Sequence, residues 1–408
     1  MAILEGIQIK NFRTLKDVTL GQTIYESSNQ KLPRLAAVIG ANGAGKSSLL
    51  DALSFLGDCL KEGLEAACDK PHRGGFERLR TQGSDGYIEF EIRYRERDKE
   101  RPINYTLHIG GDIDGRAIVV RERLRQRRLK QSYGQPYPFV DITNGSGFAW
   151  AGESTTAGEG NTSIPVVMSD RQVLAITTLG TLADHPRIGK FREFLSRWYL
   201  SYFVPQLARE PSMAGAEPHL DREGKNLAKY LQFIERAKPQ EFQEMLTRIA
   251  KKVPGITKIE SDSERDRRLI LLFYCEGYER PFFKEDMSDG TLKLLAYLLL
   301  MEDPDPAPFI GIEEPENGLH PQLLTQLAQE FKTFSEQEKG PQVLITTHAP
   351  NFVDALSPEE VWVLEKDSDG FSTLSRAADI QSVKELFDEG IPMGSLWYSN
   401  HFGGVGRR

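Results

Sequence analysis

Apolar and polar positions alternate at the start of the chain. Leu4-Glu5-Gly6-Ile7-Gln8-Ile9-Lys10 predicts an edge strand, with a turn at Asn11-Phe12-Arg13. Leu35-Ala36-Ala37-Val38-Ile39 is apolar throughout, as in a strand buried on both faces, and runs into a glycine-rich turn over 40–45. Beyond it Leu49, Leu50, Leu53, Leu56, Leu60 and Leu64 recur at helical spacing. Short alternating segments follow, among them Tyr87-Ile88-Glu89-Phe90-Glu91-Ile92 and Tyr105-Thr106-Leu107-His108-Ile109. Gly-Gly and Asp-Gly turns break them, and an antiparallel sheet over 86–139 is predicted.

Residues 141–163, rich in Gly, Ser and Thr, predict a mobile surface loop, and helical periodicity returns over 173–207 and 226–253. The last third alternates element types: a helix at 291–301, a strand at 309–312, a helix at 321–334, and strands at 342–346 and 361–365. Such alternation implies an α/β fold with a mixed, mainly parallel sheet to which the first and last thirds both contribute.

Composition narrows the class. The 408 residues are 39% hydrophobic and 27% charged, enough for a buried core and too apolar for a disordered chain. No run approaches the ~20 apolar residues of a membrane span. The opening Met1-Ala2-Ile3-Leu4-Glu5-Gly6 lacks signal-peptide features, so a cytoplasmic protein with no membrane contact is expected. Cys59, Cys68 and Cys275 show no Cys-x-x-Cys spacing, which argues against a disulfide framework or zinc site. With 51 Lys plus Arg against 59 Asp plus Glu, the net charge is -8, and any nucleic-acid contact must come from a local basic surface.

Gly40-Ala41-Asn42-Gly43-Ala44-Gly45-Lys46-Ser47 matches the full phosphate-loop pattern between a predicted strand and helix. Backbone N–H groups of such a loop curl around phosphates, the helix N-terminus favours negative charge, Lys46 reaches the β and γ phosphates, and Ser47 ligates magnesium. Gly40, Asn42, Gly43, Gly45, Lys46, Ser47 and Ser48 are the candidate nucleotide-phosphate ligands. Phe309-Ile310-Gly311-Ile312-Glu313-Glu314 is an apolar strand ending in two carboxylates. That end places Glu313 to hold magnesium through water and Glu314 to act as general base toward the attacking water. Thr346-Thr347-His348 ends another buried strand at the same sheet edge, where His348 is positioned to sense the γ phosphate.

With these residues in hand, the chain resembles an ABC-type ATPase of the SMC, RecF and OLD branch. Its opening Ile7-Gln8-Ile9-Lys10-Asn11-Phe12-Arg13-Thr14-Leu15 is similar to that branch's first strand and turn, and the likeness covers roughly residues 1–110 and 280–365. The resemblance implies that Met287-Ser288-Asp289-Gly290-Thr291 is the signature sequence. Two heads would then sandwich two ATP molecules, with Ser288 and Gly290 completing the partner's site in a homodimer or higher homo-oligomer. It also implies that the chain passes a dimer interface at Glu314–Pro321, where His320 would lie, and that a glutamine couples nucleotide to the lobes; Gln82 is placed for that, with a solvated loop glutamine as the preferred reading. Glu313 stands where many ABC proteins have Asp, and Ser-Asp-Gly where transporters have Ser-Gly-Gly. The expected organisation is 1–135 and 281–408 as two halves of an ATPase head, with an inserted loop and helical region at 136–280.

Arg121, Arg123, Arg125 and Arg127, read as a strand, point to one face and are candidates for double-stranded DNA; a solvated face paired with nearby acids is the alternative. Asp367-Ser368-Asp369-Gly370 reads as a hairpin turn rather than a nuclease site. ATPases resembling this chain are often encoded beside a separate effector, frequently a nuclease, in bacterial anti-phage systems, so a trans-acting partner is implied. A scaffold held together by ATP and, less so, a transporter subunit are the alternative functions. The aromatic-rich stretch 391–404 is expected either to offer a partner surface or to pack back onto the head.

Overall fold

A computed structural model describes residues 2–26, 30–128, 131, 134–150, 163–210, 215–263 and 269–402. Strands β1 (Ile3–Phe12) and β2 (Leu15–Gly21) form a hairpin, with Asn11 and Arg13 at positive φ. β3 (Leu35–Ile39) precedes the helix Lys46–Glu62. Strands β4 (Ile88–Arg95), β5 (Ile103–Gly111), β6 (Ala117–Gln126), β7 (Tyr137–Thr143), β8 (Ser146–Trp150) and β9 (Ser163–Val167) extend the β1–β2 hairpin into an antiparallel sheet ordered β2-β1-β4-β5-β6-β7-β8-β9. Then come β10 (Tyr199–Ser201), the hairpin-like β11 (Ile256–Ser263), β12 (Leu269–Cys275) and β13 (Phe282–Phe283), and finally β14 (Phe309–Glu313), β15 (Gln342–Thr347), β16 (Val361–Lys366) and β17 (Ser372–Arg376).

The second sheet runs β10-β14-β15-β3-β16-β17, parallel except for β17. β3 therefore lies between strands of the last third, so the two ends of the chain share one sheet. The all-apolar β3 has a direct physical reason. Ala36 and Val38 join the core under the antiparallel sheet, with Leu49, Leu53 and Phe55 of the phosphate-loop helix. Leu35, Ala37 and Ile39 join the opposite core, with the helices Asp289–Met301 and Pro321–Glu336. Burial on both faces excludes polar side chains from the strand. Gln342 fastens the sheets together: its amide accepts from Leu4 N (2.9 Å) and donates to Leu4 O (2.9 Å).

Several expectations are corrected. β1 is not an edge strand, because β2 and β4 flank it, and β2 itself carries too mixed a pattern to stand out. The expected loop over 141–163 contains the end of β7, all of β8 and the start of β9; its residues 151–162 lie outside the described residues. Asn144 (φ 50°) and Gly145 (φ 79°) make the β7–β8 turn, so the Asn-Gly dipeptide was the hairpin signal within that stretch. The middle third holds β10 and the small β11-β12-β13 sheet beside its helices. Asp367–Gly370 is a hairpin turn, with Gly370 N donating to Asp367 O (3.1 Å). Near the C-terminus Met393, Leu396, Trp397 and Phe402 are buried in the head and only Tyr398 among these aromatics is exposed, so the stretch packs back; residues 403 and 404 lie outside the described residues.

Candidate functional site

Parallel order brings the C-terminal ends of β14, β15 and β3 side by side. Glu313 pairs with Thr346, and Thr347 with Ile39, in the ladder. The loop after β3, the acidic pair after β14 and His348 after β15 therefore share one sheet edge, as the sequence predicts.

The loop is closely braced. Gly40 has no room for a side chain, since a Cβ would stand 2.3 Å from Leu364 O. Gly45 (φ 114°) would bring a Cβ to 2.4 Å from Ser372 Oγ, while Gly43 (φ 79°) faces open space. Ser372 lies 2.6 Å from Ala44 O and 2.9 Å from Thr14 Oγ1, and its N–H donates to Thr14 O (2.8 Å). Asn42 is exposed, and Ser47 and Ser48 open the helix Lys46–Glu62.

Lys46 is buried, and its Nζ donates to Gly40 O (2.9 Å) and Ala41 O (3.3 Å) and stands 3.6 Å from Glu314 Oε1. Glu314 Oε1 is 3.3 Å from His348 Nδ1. Lys46, Glu314 and His348 thus form one contiguous group. Glu314 sits at φ 41°, a region a non-glycine residue rarely occupies. It is held there by its N–H to Thr346 O (2.9 Å), by Asn317 Nδ2 to its Oε2 (3.0 Å), and by Lys293 Nζ to its backbone O (2.9 Å). Burial acts to raise the Glu314 carboxyl, but the Asn317 hydrogen bond and the neighbouring His348 and Lys46 outweigh it and hold it below its ordinary value. Burial pushes Glu313 the other way, above the usual carboxylate range, with Glu314 adding to the rise and the Ser47 hydrogen bond opposing it.

Ser288 caps the helix Asp289–Met301, accepting from Thr291 N (3.1 Å), and Gly290 abuts the turn after Glu314: a Cβ there would stand 2.3 Å from Gly318 O. His320 is exposed and caps the helix Pro321–Glu336 through Nδ1, 3.3 Å from Gln322 N. Gln82 is exposed at a turn. Lys293, Glu316, Asn317, Ser372 and Thr14 were missed as site residues. Lys293 had a legible signal, a lone lysine within the apolar run Leu292–Met301.

The basic stretch is largely neutralised. Arg121 and Arg123 both pair with Asp141, and Arg125 is buried against Glu91 (3.3 Å) and Thr106 (2.9 Å). The single open face of four arginines is corrected accordingly. Arg127 follows the strand and is exposed, and Lys130 lies outside the described residues.

The site suits a magnesium nucleotide. An open Gly43 turn, a buried ammonium beside it, and a hydroxyl hydrogen-bonded to a carboxylate offer phosphate and hard-cation ligands of oxygen chemistry.

The family model described as "AAA domain, putative AbiEii toxin, Type IV TA system" matches residues 35–148 and 177–354. The chain belongs to this AAA-domain family. Among curated proteins no sequence matches it. The fold of this AAA-domain protein is that of SMC heads. One such head, solved bound to the C-winged helix domain of ScpA, aligns over 91% of this chain and 97% of its own at TM-score 0.54 and 16% identity. Another, from Pyrococcus furiosus, with an extended coiled coil and bound to the C-terminal domain of ScpA, aligns over 95% and 100% at TM-score 0.54 and 15% identity. This fold fits the ABC-type head of the SMC-like branch that the sequence resembles. Among the described residues no helix is long and apolar enough to cross a membrane.

Proposed function

We propose that this protein hydrolyses ATP with magnesium, closes head-to-head on a second copy, and thereby switches a trans-acting, nuclease-like effector or DNA in anti-phage defence or DNA repair. The carrying observation is the contiguous Lys46, Glu314 and His348 group at the ends of three adjacent strands. Lys46 and the loop N–H groups hold the β and γ phosphates, and Ser47 and Glu313 hold the metal. Glu314, kept ionised by its neighbours, accepts the proton of the attacking water, and His348 senses the γ phosphate. Held by Ser47 and Glu313, magnesium would supply positive charge to offset that developing on the phosphate. Ser288 and Gly290 serve the partner's nucleotide.

The middle third, which we read as an insert over 136–280 in a head made of 1–135 and 281–408, is built to relay closure. Arg209 pairs with Asp289 of the signature (2.6 Å), and Arg222 reaches Asp58 (3.4 Å) and Ser54 (2.8 Å) on the phosphate-loop helix. DNA contact, if this is the output, falls to the exposed Arg127 and to Arg121 and Arg123 released from Asp141. A cytoplasmic setting fits this reading.

Sedimentation of Glu314→Gln tests the closure: ATP with magnesium is expected to convert monomer to dimer, and Ser288→Arg to prevent it. A second reading, an ATP-held scaffold with little turnover, draws on one observation. The metal-side carboxylate at the end of β14 is Glu313, longer by one methylene than the aspartate that many ABC proteins have there.

A further inference from the structure

Glu316 lies beyond the acidic pair, buried at 7% exposure, and its carboxylate does two things at once. Its Oε1 accepts the backbone N–H of His348 (2.7 Å) and stands 3.1 Å from the ring Nδ1 of the same residue. Its Oε2 is buried without a hydrogen-bond partner among the described residues. A buried carboxylate oxygen left in this condition is costly, and a protein keeps it where position matters. Lys293, whose charge is felt by Glu316, turns its Nζ to the backbone oxygens of Glu314 (2.9 Å) and Asn317 (3.2 Å) instead. The His348 side chain is 42% exposed, so packing alone does not fix its ring.

We infer that Glu316 is a positioning residue that sets the orientation and tautomer of His348, by clamping its backbone and Nδ1 with one oxygen. Hydrogen on Nδ1 then points between Glu316 and Glu314, whose Oε1 is 3.3 Å away, and Nε2 is left as the ring nitrogen for other partners. Removal of the clamp frees the ring to turn and lets the hydrogen move to Nε2, the tautomer favoured by an unconstrained imidazole. The catalytic half of this inference rests on the ATPase reading above, while the tautomer half does not.

The test joins a double-mutant cycle to ring 15N spectra of the full chain. Glu316→Ala is expected to lower kcat by about tenfold with KM for ATP within about twofold, and to lower it by less than about twofold further in a His348→Ala background. Glu316→Gln, which keeps an acceptor oxygen of the same shape, is expected to recover part of the loss and guards against misfolding of the alanine variant. The spectra, recorded without nucleotide, should show Nδ1 protonated in the wild type and the hydrogen shifted to Nε2 in Glu316→Ala. Equal losses of kcat in both backgrounds, or spectra unchanged by the substitution, overturn the inference. A wild type without turnover removes the ATPase reading but leaves the spectra to decide the clamp.

Discussion

Lys46 Nζ stands 3.6 Å from Glu314 Oε1, so the ammonium that binds phosphate and the carboxylate assigned to the water face each other across one site. Phosphate oxygens brought to Lys46 would be repelled by that carboxylate. Glu314→Gln is therefore expected to bind ATP as tightly as the wild type or several-fold more tightly, while Lys46→Ala loses binding. Equilibrium titration with a fluorescent ATP analogue checks both.

Gly290 packs its α carbon against the Gly318 carbonyl, leaving no space for a methyl group. Gly290→Ala must push the signature helix away from the turn that follows Glu314. The expected cost is about 1–3 kcal/mol of stability, with turnover falling alongside. Urea unfolding and steady-state rates measure the two effects.

Ser372 reaches the phosphate loop from the far end of the chain, its Oγ 2.6 Å from Ala44 O. Ser372→Ala leaves that buried carbonyl short of a donor, so a loss of about 1 kcal/mol is expected. Because the loop is loosened rather than the base, KM for ATP should rise several-fold with kcat nearly kept.

Burial pushes both Glu91 and Glu122 up to about 7. A carboxyl whose folded value lies above its unfolded 4.5 holds its proton more tightly when folded. Its contribution is present below 4.5 and is lost as pH rises to about 7. Each shift corresponds to ~3 kcal/mol as an upper order of magnitude. The denaturant midpoint is expected to fall between pH ~5 and ~7.5. Glu91→Gln should flatten that fall; an equal slope in the variant contradicts the assignment.

What the sequence made legible was local or periodic. The phosphate loop is one continuous segment, and β3 and the centres of β14 and β15 are apolar because both faces are covered. What it hid was long-range. Nothing near Ser372 announces a contact with Ala44, and Asp141 cannot be matched with Arg121 and Arg123 until β6 and β7 are in register. Glu316 was readable as part of an acidic turn, but its grip on His348 depends on the end of β15. The strands in 141–163 were masked by Gly, Ser and Thr, which mark loops by composition even where an Asn-Gly hairpin joins two paired strands.

The central claim is that Lys46, Glu314 and His348 form a working ATPase site, and steady-state ATP hydrolysis by the full chain with magnesium tests it most directly. The account predicts turnover by the wild type, loss in Lys46→Ala through failed binding, and loss in Glu314→Gln with binding retained. Wild-type turnover no greater than that of Glu314→Gln, with ATP demonstrably bound, would contradict it and leave the nucleotide-held scaffold.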